Sequence, residues 1–126
     1  MKHFITGGSG FFGLHLIERL LREHQEIVVY DLAALDDDYQ KKPGVTYVHG
    51  DICDKQRITE AMKGCDVVHH NAAVLPVSRS GKRFRTINVE GTRTVLEAAF
   101  ANNVKKVLCI STSSVYGIPV ELPITE

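Results

Sequence analysis

The sequence has no excess of either charge. Fifteen basic and fifteen acidic residues leave a formal net charge of +0 and a pI near 7.0, so the electrostatic footprint of a nucleic-acid or membrane-surface partner is missing. No apolar run reaches the roughly 20 residues that a bilayer span needs. The opening Met1-Lys2-His3-Phe4 passes straight into strand-like sequence, without the apolar stretch and cleavage site of a secretory leader. Cytoplasm is therefore the expected compartment. Cysteine is scarce: Cys53, Cys65 and Cys109 are odd in number, widely spaced and form no C-x-x-C pair. They read as small core residues. Internal repeats and low-complexity segments are absent too.

Metal-ligand spacing is also lacking. His69 and His70 are adjacent, and neighbours on a strand point to opposite faces, so they cannot share one ion. His3, His15, His24 and His49 are scattered. No metal site is expected.

What the sequence does have is alternation. Short β-branched runs at 2–6, 27–31, 45–48, 66–70 and 105–111 are separated by helical patterns at 10–23, 54–63 and 84–102. In the first helix Leu14, Ile17 and Leu21 share a face, with Leu16 and Leu20 beside them. In the third, Ile87, Gly91, Val95 and Ala99 recur at four-residue spacing, suited to close packing on a sheet. Strands alternating with helices predict an α/β fold with a parallel sheet. Right-handed crossovers then favour a Rossmann-type doubly wound sheet of order 3-2-1-4-5. At 126 residues the chain makes one domain. Residues 117–126, with two prolines and no periodicity, read as a loop.

The first strand runs directly into Thr6-Gly7-Gly8-Ser9-Gly10-Phe11-Phe12-Gly13, which opens the first helix. Glycines there remove the Cβ atoms that would block a pyrophosphate, and the helix N-terminus favours its charge. The spacing is G-x-x-G-x-x-G, one residue longer than the standard dinucleotide fingerprint. Asp31 closes the second strand 18 residues after Gly13, near the spacing of a ribose-binding carboxylate. Leu32, Ala33, Ala34, Leu35 and a run of three aspartates follow, with no cation to receive a 2′-phosphate. That pattern favours NAD over NADP. The triple-aspartate run reads as a solvated loop. The basic residues Arg79, Lys82, Arg83 and Arg85 read as a solvated helix start, with contact to a phosphate-bearing substrate as the alternative.

Taken together, these residues resemble the extended short-chain dehydrogenase/reductase family of NAD-dependent sugar-nucleotide epimerases and dehydratases, over essentially the whole chain. Thr6 to Gly13 is similar to that family's T-G-x-x-G-x-x-G turn. Gly50-Asp51-Ile52-Cys53-Asp54 resembles G-D-[IVL]-x-D, and His70-Asn71-Ala72-Ala73 resembles H-x-A-A. Asn88-Val89-Glu90-Gly91-Thr92 matches N-V-x-G-T, and Ser111 to Gly117 resembles S-[ST]-x-x-V-Y-G. The resemblance implies cofactor contacts from Gly7, Gly10, Phe11, Phe12 and Gly13, from Asp31 and Leu32, and from Asp51 and Ile52 at the adenine. It implies further contacts from Ala72, Ala73, Val74, Asn88 and Ser111. Thr112 falls on the catalytic Ser/Thr, whose hydroxyl would hold the substrate oxygen. Each motif also has a structural reading: Asp51 as a helix cap, Gly91 as a packing residue, Ser111 to Ser114 as hydroxyls satisfying loose backbone.

The family's acid–base pair, a tyrosine with lysine four residues on, is missing. The fourth residue after Tyr30, Tyr39, Tyr47 and Tyr116 is Ala34, Pro43, Asp51 and Val120. Pro123-Ile124-Thr125-Glu126 resembles the P-[IVL]-x-E stretch that precedes the pair. The expectation is an NAD-binding domain spanning 1–126, truncated after the fifth strand, from an enzyme that exchanges hydride with a substrate hydroxyl carbon. A nucleotide sugar is the expected substrate. A 3β-hydroxysteroid dehydrogenase-like enzyme and a non-catalytic NAD-binding regulatory module stay open. An unpaired fifth-strand edge predicts homodimerisation through that edge or the third helix.

Overall fold

Each β-branched run forms a strand and each long periodic run a helix in the computed structural model, which describes residues 1–75 and 81–118. In chain order these are β1 (Lys2–Thr6), α1 (Phe11–Arg22), β2 (Glu26–Asp31), α2 (Asp37–Gln40), β3 (Val45–His49), α3 (Lys55–Ala61) and β4 (Val67–His70). There follow α4 (Lys82–Arg85), a π-helical stretch (Thr86–Gly91), α5 (Thr92–Ala101), β5 (Lys106–Cys109) and a 3₁₀ turn (Ser113–Tyr116). The predicted residues 119–126 and Arg79 lie outside the described residues.

The five strands make one parallel sheet in the predicted order β3-β2-β1-β4-β5. Phe4 pairs in register with Val28 on one side and Val68 on the other. Alternation along the strands then sorts side chains between two cores. Phe4, Val28, Tyr30 and Val68 meet Ile58 and Met62 near α3 and Val95, Ala98 and Ala99 of α5. Ile5, Ile27 and Val29 meet Ile17 and Leu20 of α1, together with Leu35. Helices on both faces bury β1 and β2 almost end to end, which is why β2 reads as the apolar run Ile27-Val28-Val29-Tyr30. Burial of Ile17 and Leu20 contributes about 1.5–3 kcal/mol each, and Ile58→Ala would cost about 2–5 kcal/mol by leaving a cavity between α3 and the sheet.

Several expectations are corrected. The triple-aspartate run is not all loop: Asp36 caps α2, its side chain accepting from Asp38 N at 2.8 Å, as an aspartate at a helix start does. The third helix begins two residues earlier than predicted and contains the π-helical stretch, which periodicity alone cannot register. β5 stops at Cys109, so Ser111 lies beyond it. Only Cys65 is buried; Cys53 is half-buried, and Cys109 is exposed where β5 forms the sheet edge. The histidines are less scattered than they looked. His69 and His70 do point to opposite faces, but His3 on β1 stacks on His69, with Nδ1 2.9 Å from its Nε2.

Candidate cofactor site

A crevice of about 340 Å³ opens at the carboxyl ends of β1, β2 and β4, where the strand order reverses and ligands of such sheets bind. Its floor is the glycine turn. Gly7 sits at φ +68°, and a Cβ there would come within 2.8 Å of Ala72 N. A Cβ on Gly13 would lie 2.5 Å from Gly8 Cα, so α1 could not start this close to β1 with any other residue. Gly10 N donates to Gly7 O, closing the turn. No side chain caps Gly10, and Phe11, Phe12 and Gly13 carry N–H groups with no intrahelical acceptor. Three free donors at the positive end of a 12-residue helix suit a pyrophosphate. The rings of Phe11 and Phe12 are exposed and do not line the crevice, so their predicted contribution reduces to backbone.

Asp31 closes the wall above the turn. Its Oδ2 accepts from Ser9 N at 2.9 Å and its Oδ1 from Ala33 N at 3.0 Å. A carboxylate offers about four acceptor sites, so each oxygen retains capacity for a hydroxyl donor. Leu32, Asp51, Ile52, Ala72, Ala73 and Val74 join Gly7, Gly10 and Asp31 in lining the crevice. Asp51 is not the cap of α3. Asp54 is, accepting from Arg57 N at 3.0 Å, while Asp51 Oδ1 accepts from Cys53 N at 2.9 Å.

The remaining predicted residues stand outside. Asn88 does not line the crevice. It grips the wall from behind: Nδ2 donates to Val74 O at 2.9 Å, and Val74 N donates to Oδ1 at 2.8 Å. Ser111 and Thr112 are exposed and are not brought to the crevice. Thr112 caps the 3₁₀ turn, its hydroxyl accepting from Ser114 N at 3.3 Å.

The structure also adds residues. Ser9, Tyr30, Ala33, Gly50, Asn71, Arg83 and Ile87 line the crevice. Tyr30 looks like an ordinary strand residue in sequence; only the fold turns its hydroxyl to the site, where it donates to Asp51 O at 2.9 Å. Arg83 was visible only as one of a run of cations. Among the described residues it is the one cationic side chain in the lining, with no carboxylate partner.

Tyr30, Tyr39 and Tyr47 are tuned the wrong way for proton transfer near neutrality. Burial, then the charge of Asp54, pushes the Tyr30 phenol up to about 12. Burial raises Tyr47, and the hydrogen bond to Glu18 raises Tyr39. Lys42 Nζ lies over the face of the Tyr39 ring, 4.4 Å from its centroid, yet the net shift of that phenol is still upward.

The 3-beta hydroxysteroid dehydrogenase/isomerase family matches residues 4–121 of this sequence. The chain belongs to that family. It is 35% identical over 114 residues to the sterol-4-alpha-carboxylate 3-dehydrogenase (decarboxylating) of Mus musculus, covering 90% of this chain and 30% of that protein. It is 35% identical over 137 residues to the UDP-glucose 4-epimerase of Halalkalibacterium halodurans, covering 100% and 39%. Among solved structures, the Bordetella bronchiseptica enzyme WbmG in complex with NAD and UDP superposes with a TM-score of 0.87 at 30% identity, covering 97% of this chain and 41% of that one. The chain thus spans 30–41% of the length of these relatives.

Proposed function

We propose that residues 1–126 form the NAD-binding domain of an NAD-dependent nucleotide-sugar epimerase or dehydratase. The observation that carries this reading is Asp31, held at the end of β2 by Ser9 N and Ala33 N, facing a glycine turn with free helix N-terminal donors. That carboxylate accepts from adenosine ribose hydroxyls and repels a 2′-phosphate. The N–H groups of Phe11, Phe12 and Gly13 hold the pyrophosphate, and Asp51 with Ile52 flank the adenine. Ala72, Ala73 and Val74 form the wall along the second ribose. Bound NAD supplies hydride exchange with a substrate hydroxyl carbon. Thr112, at the open end of β5, orients the substrate oxygen through its hydroxyl.

No tyrosine here has a lysine four residues on, and Tyr30, Tyr39 and Tyr47 are shifted upward. The proton is therefore moved by residues outside 1–126, and this stretch by itself binds cofactor without turnover. We place the protein in the cytoplasm as a homodimer joined through the β5 edge or the outer face of α5. No described helix is long and apolar enough to cross a membrane.

The family match and the sterol dehydrogenase relative favour a second reading, a 3β-hydroxysteroid dehydrogenase with the same cofactor site. Two experiments separate the possibilities. Calorimetric titration with NAD and NADP tests the cofactor: NAD should bind, Asp31→Ala and Gly10→Val should abolish binding, and unchanged affinity in both variants sinks the assignment. Turnover of UDP-glucose and dTDP-glucose against a 3β-hydroxysteroid by the full chain then selects the substrate class.

A further inference from the structure

Three side chains, Thr6, His70 and Thr92, run behind the crevice from the end of β1 to the backbone of Asn88 at its far wall. Thr6 Oγ1 lies 2.7 Å from His70 Nδ1, and His70 Nε2 lies 2.9 Å from Thr92 Oγ1. The Thr92 hydroxyl donates to the backbone carbonyl of Asn88 at 2.8 Å, and the Asn88 side-chain amide holds both backbone groups of Val74. Thr6 and His70 are buried, at 0% and 5% exposure.

The donors and acceptors fix every proton in this relay. The Asn88 carbonyl can only accept, so the single Thr92 hydroxyl proton points toward it. Thr92 Oγ1 must then accept from His70, which puts a hydrogen on Nε2. On the other side, Thr6 Oγ1 accepts from Asn71 N at 3.2 Å and Ala72 N at 3.3 Å. Its own proton is left for His70 Nδ1. The imidazole is thus neutral and of one tautomer. A second N–H at Nδ1 would face Thr6 and leave the buried Thr6 proton without an acceptor, a costly arrangement.

The relay crosses from the sheet into the helix layer at the π-helical stretch Thr86–Gly91, which contains Asn88 and is followed directly by Thr92. Helical geometry of this kind recurs where a functional site must place one side chain. An apolar residue at position 70 would fill the space yet break both bonds. A residue with an acceptor toward β1 and a donor toward α5 is required.

We propose that His70, as its neutral Nε2–H tautomer, is a positioning residue of the cofactor crevice: it seats Asn88, and through Asn88 the Val74 wall, against the glycine turn. This rests on the reading of the crevice as the NAD site. His70 touches no ligand; it acts through Thr92 and Asn88.

The test uses the full chain with NAD as the probe. His70→Phe and Thr92→Val should each weaken NAD binding about tenfold, and the double variant should lose no more than either alone, because both cut one relay. His70→Gln, which keeps a donor toward Thr92, should recover most of the loss; a role confined to stability would not show that rescue in affinity. Nitrogen-15 NMR of the native imidazole should show a single protonated ring nitrogen, Nε2. Wild-type affinity in both His70→Phe and Thr92→Val, full additivity of the pair, or an Nδ1–H tautomer each overturns the proposal. If His70→Phe fails to fold, Thr92→Val, His70→Gln and the tautomer decide. Should wild type bind NAD and Asp31→Ala abolish it while the relay variants bind normally, only the positioning role fails. Should wild type not bind NAD, the cofactor reading falls and the proposal with it.

Discussion

Asp31 and Ser9, 22 residues apart, are joined by a backbone N–H to carboxylate bond of 2.9 Å. The acid that would select the cofactor therefore also braces the loop that would hold its phosphates. Selectivity and loop geometry are coupled in one side chain. Asp31→Asn keeps one acceptor oxygen and should cost about 1 kcal/mol of stability, while NAD affinity should fall at least tenfold. Calorimetric titration beside urea melts separates the two effects, and a variant binding NAD as tightly as wild type would remove Asp31 from the site.

Two glycines of the turn should respond differently. Gly7→Ala puts a side chain at φ +68° against Ala72 N at 2.8 Å, so the expected cost is about 2 kcal/mol or more. A Cβ at Gly10 meets nothing closer than Gly7 O at 3.4 Å, so Gly10→Ala should leave the melting temperature nearly unchanged. Gly10→Val should block the crevice while leaving the fold intact. Thermal melts that rank Gly10→Ala with Gly7→Ala would contradict this geometry.

The His3–His69 pair makes the fold sensitive to acid. Burial, then the neighbouring charge of His3, lowers His69 to about 4, and burial also lowers His3 and His70. The folded state therefore binds fewer protons than the unfolded chain, and stability rises with pH. The contribution is fully present above the unfolded value near 6.5 and is lost as pH falls toward about 4. About 2 kcal/mol should disappear across that window, allowing for partial solvent screening. Denaturant midpoints measured from pH 4 to 8 should show the slope, and His69→Phe should flatten it.

Thr112 offers a cleaner separation of chemistry from folding. It is exposed, and its hydroxyl caps only one turn. Thr112→Val should lower stability by no more than about 1 kcal/mol. NAD binding should be untouched, whereas turnover by the full chain should drop on the order of a hundredfold. Unimpaired turnover would assign Thr112 to the cap alone.

Self-association is expected from the outer face of α5 and the sheet edge. Phe100 is 88% exposed, Leu96 lies one turn before it, and β5 pairs with β4 on one side only among the described residues. Sedimentation of residues 1–126 at high concentration should show a dimer that Phe100→Asp weakens. A monomer at all concentrations would refute this surface.

The sequence by itself determined the strand order, the glycine turn and the Asp31 partner. Each of these is written in local chemistry: β-branched runs, a handed crossover, a residue without Cβ, a carboxylate at a strand end. Tertiary structure decided what the sequence could not encode locally. Tyr30 reaches Asp51 and His3 reaches His69 because parallel strands bring distant positions into register. Asn88 is the clearest case. Its motif marked it for the cofactor site, but only the packed layers show its amide bonded to both backbone groups of Val74, a crevice-wall residue. Periodicity and spacing report what a residue is and which face it takes. Which atoms it then touches depends on how the layers pack.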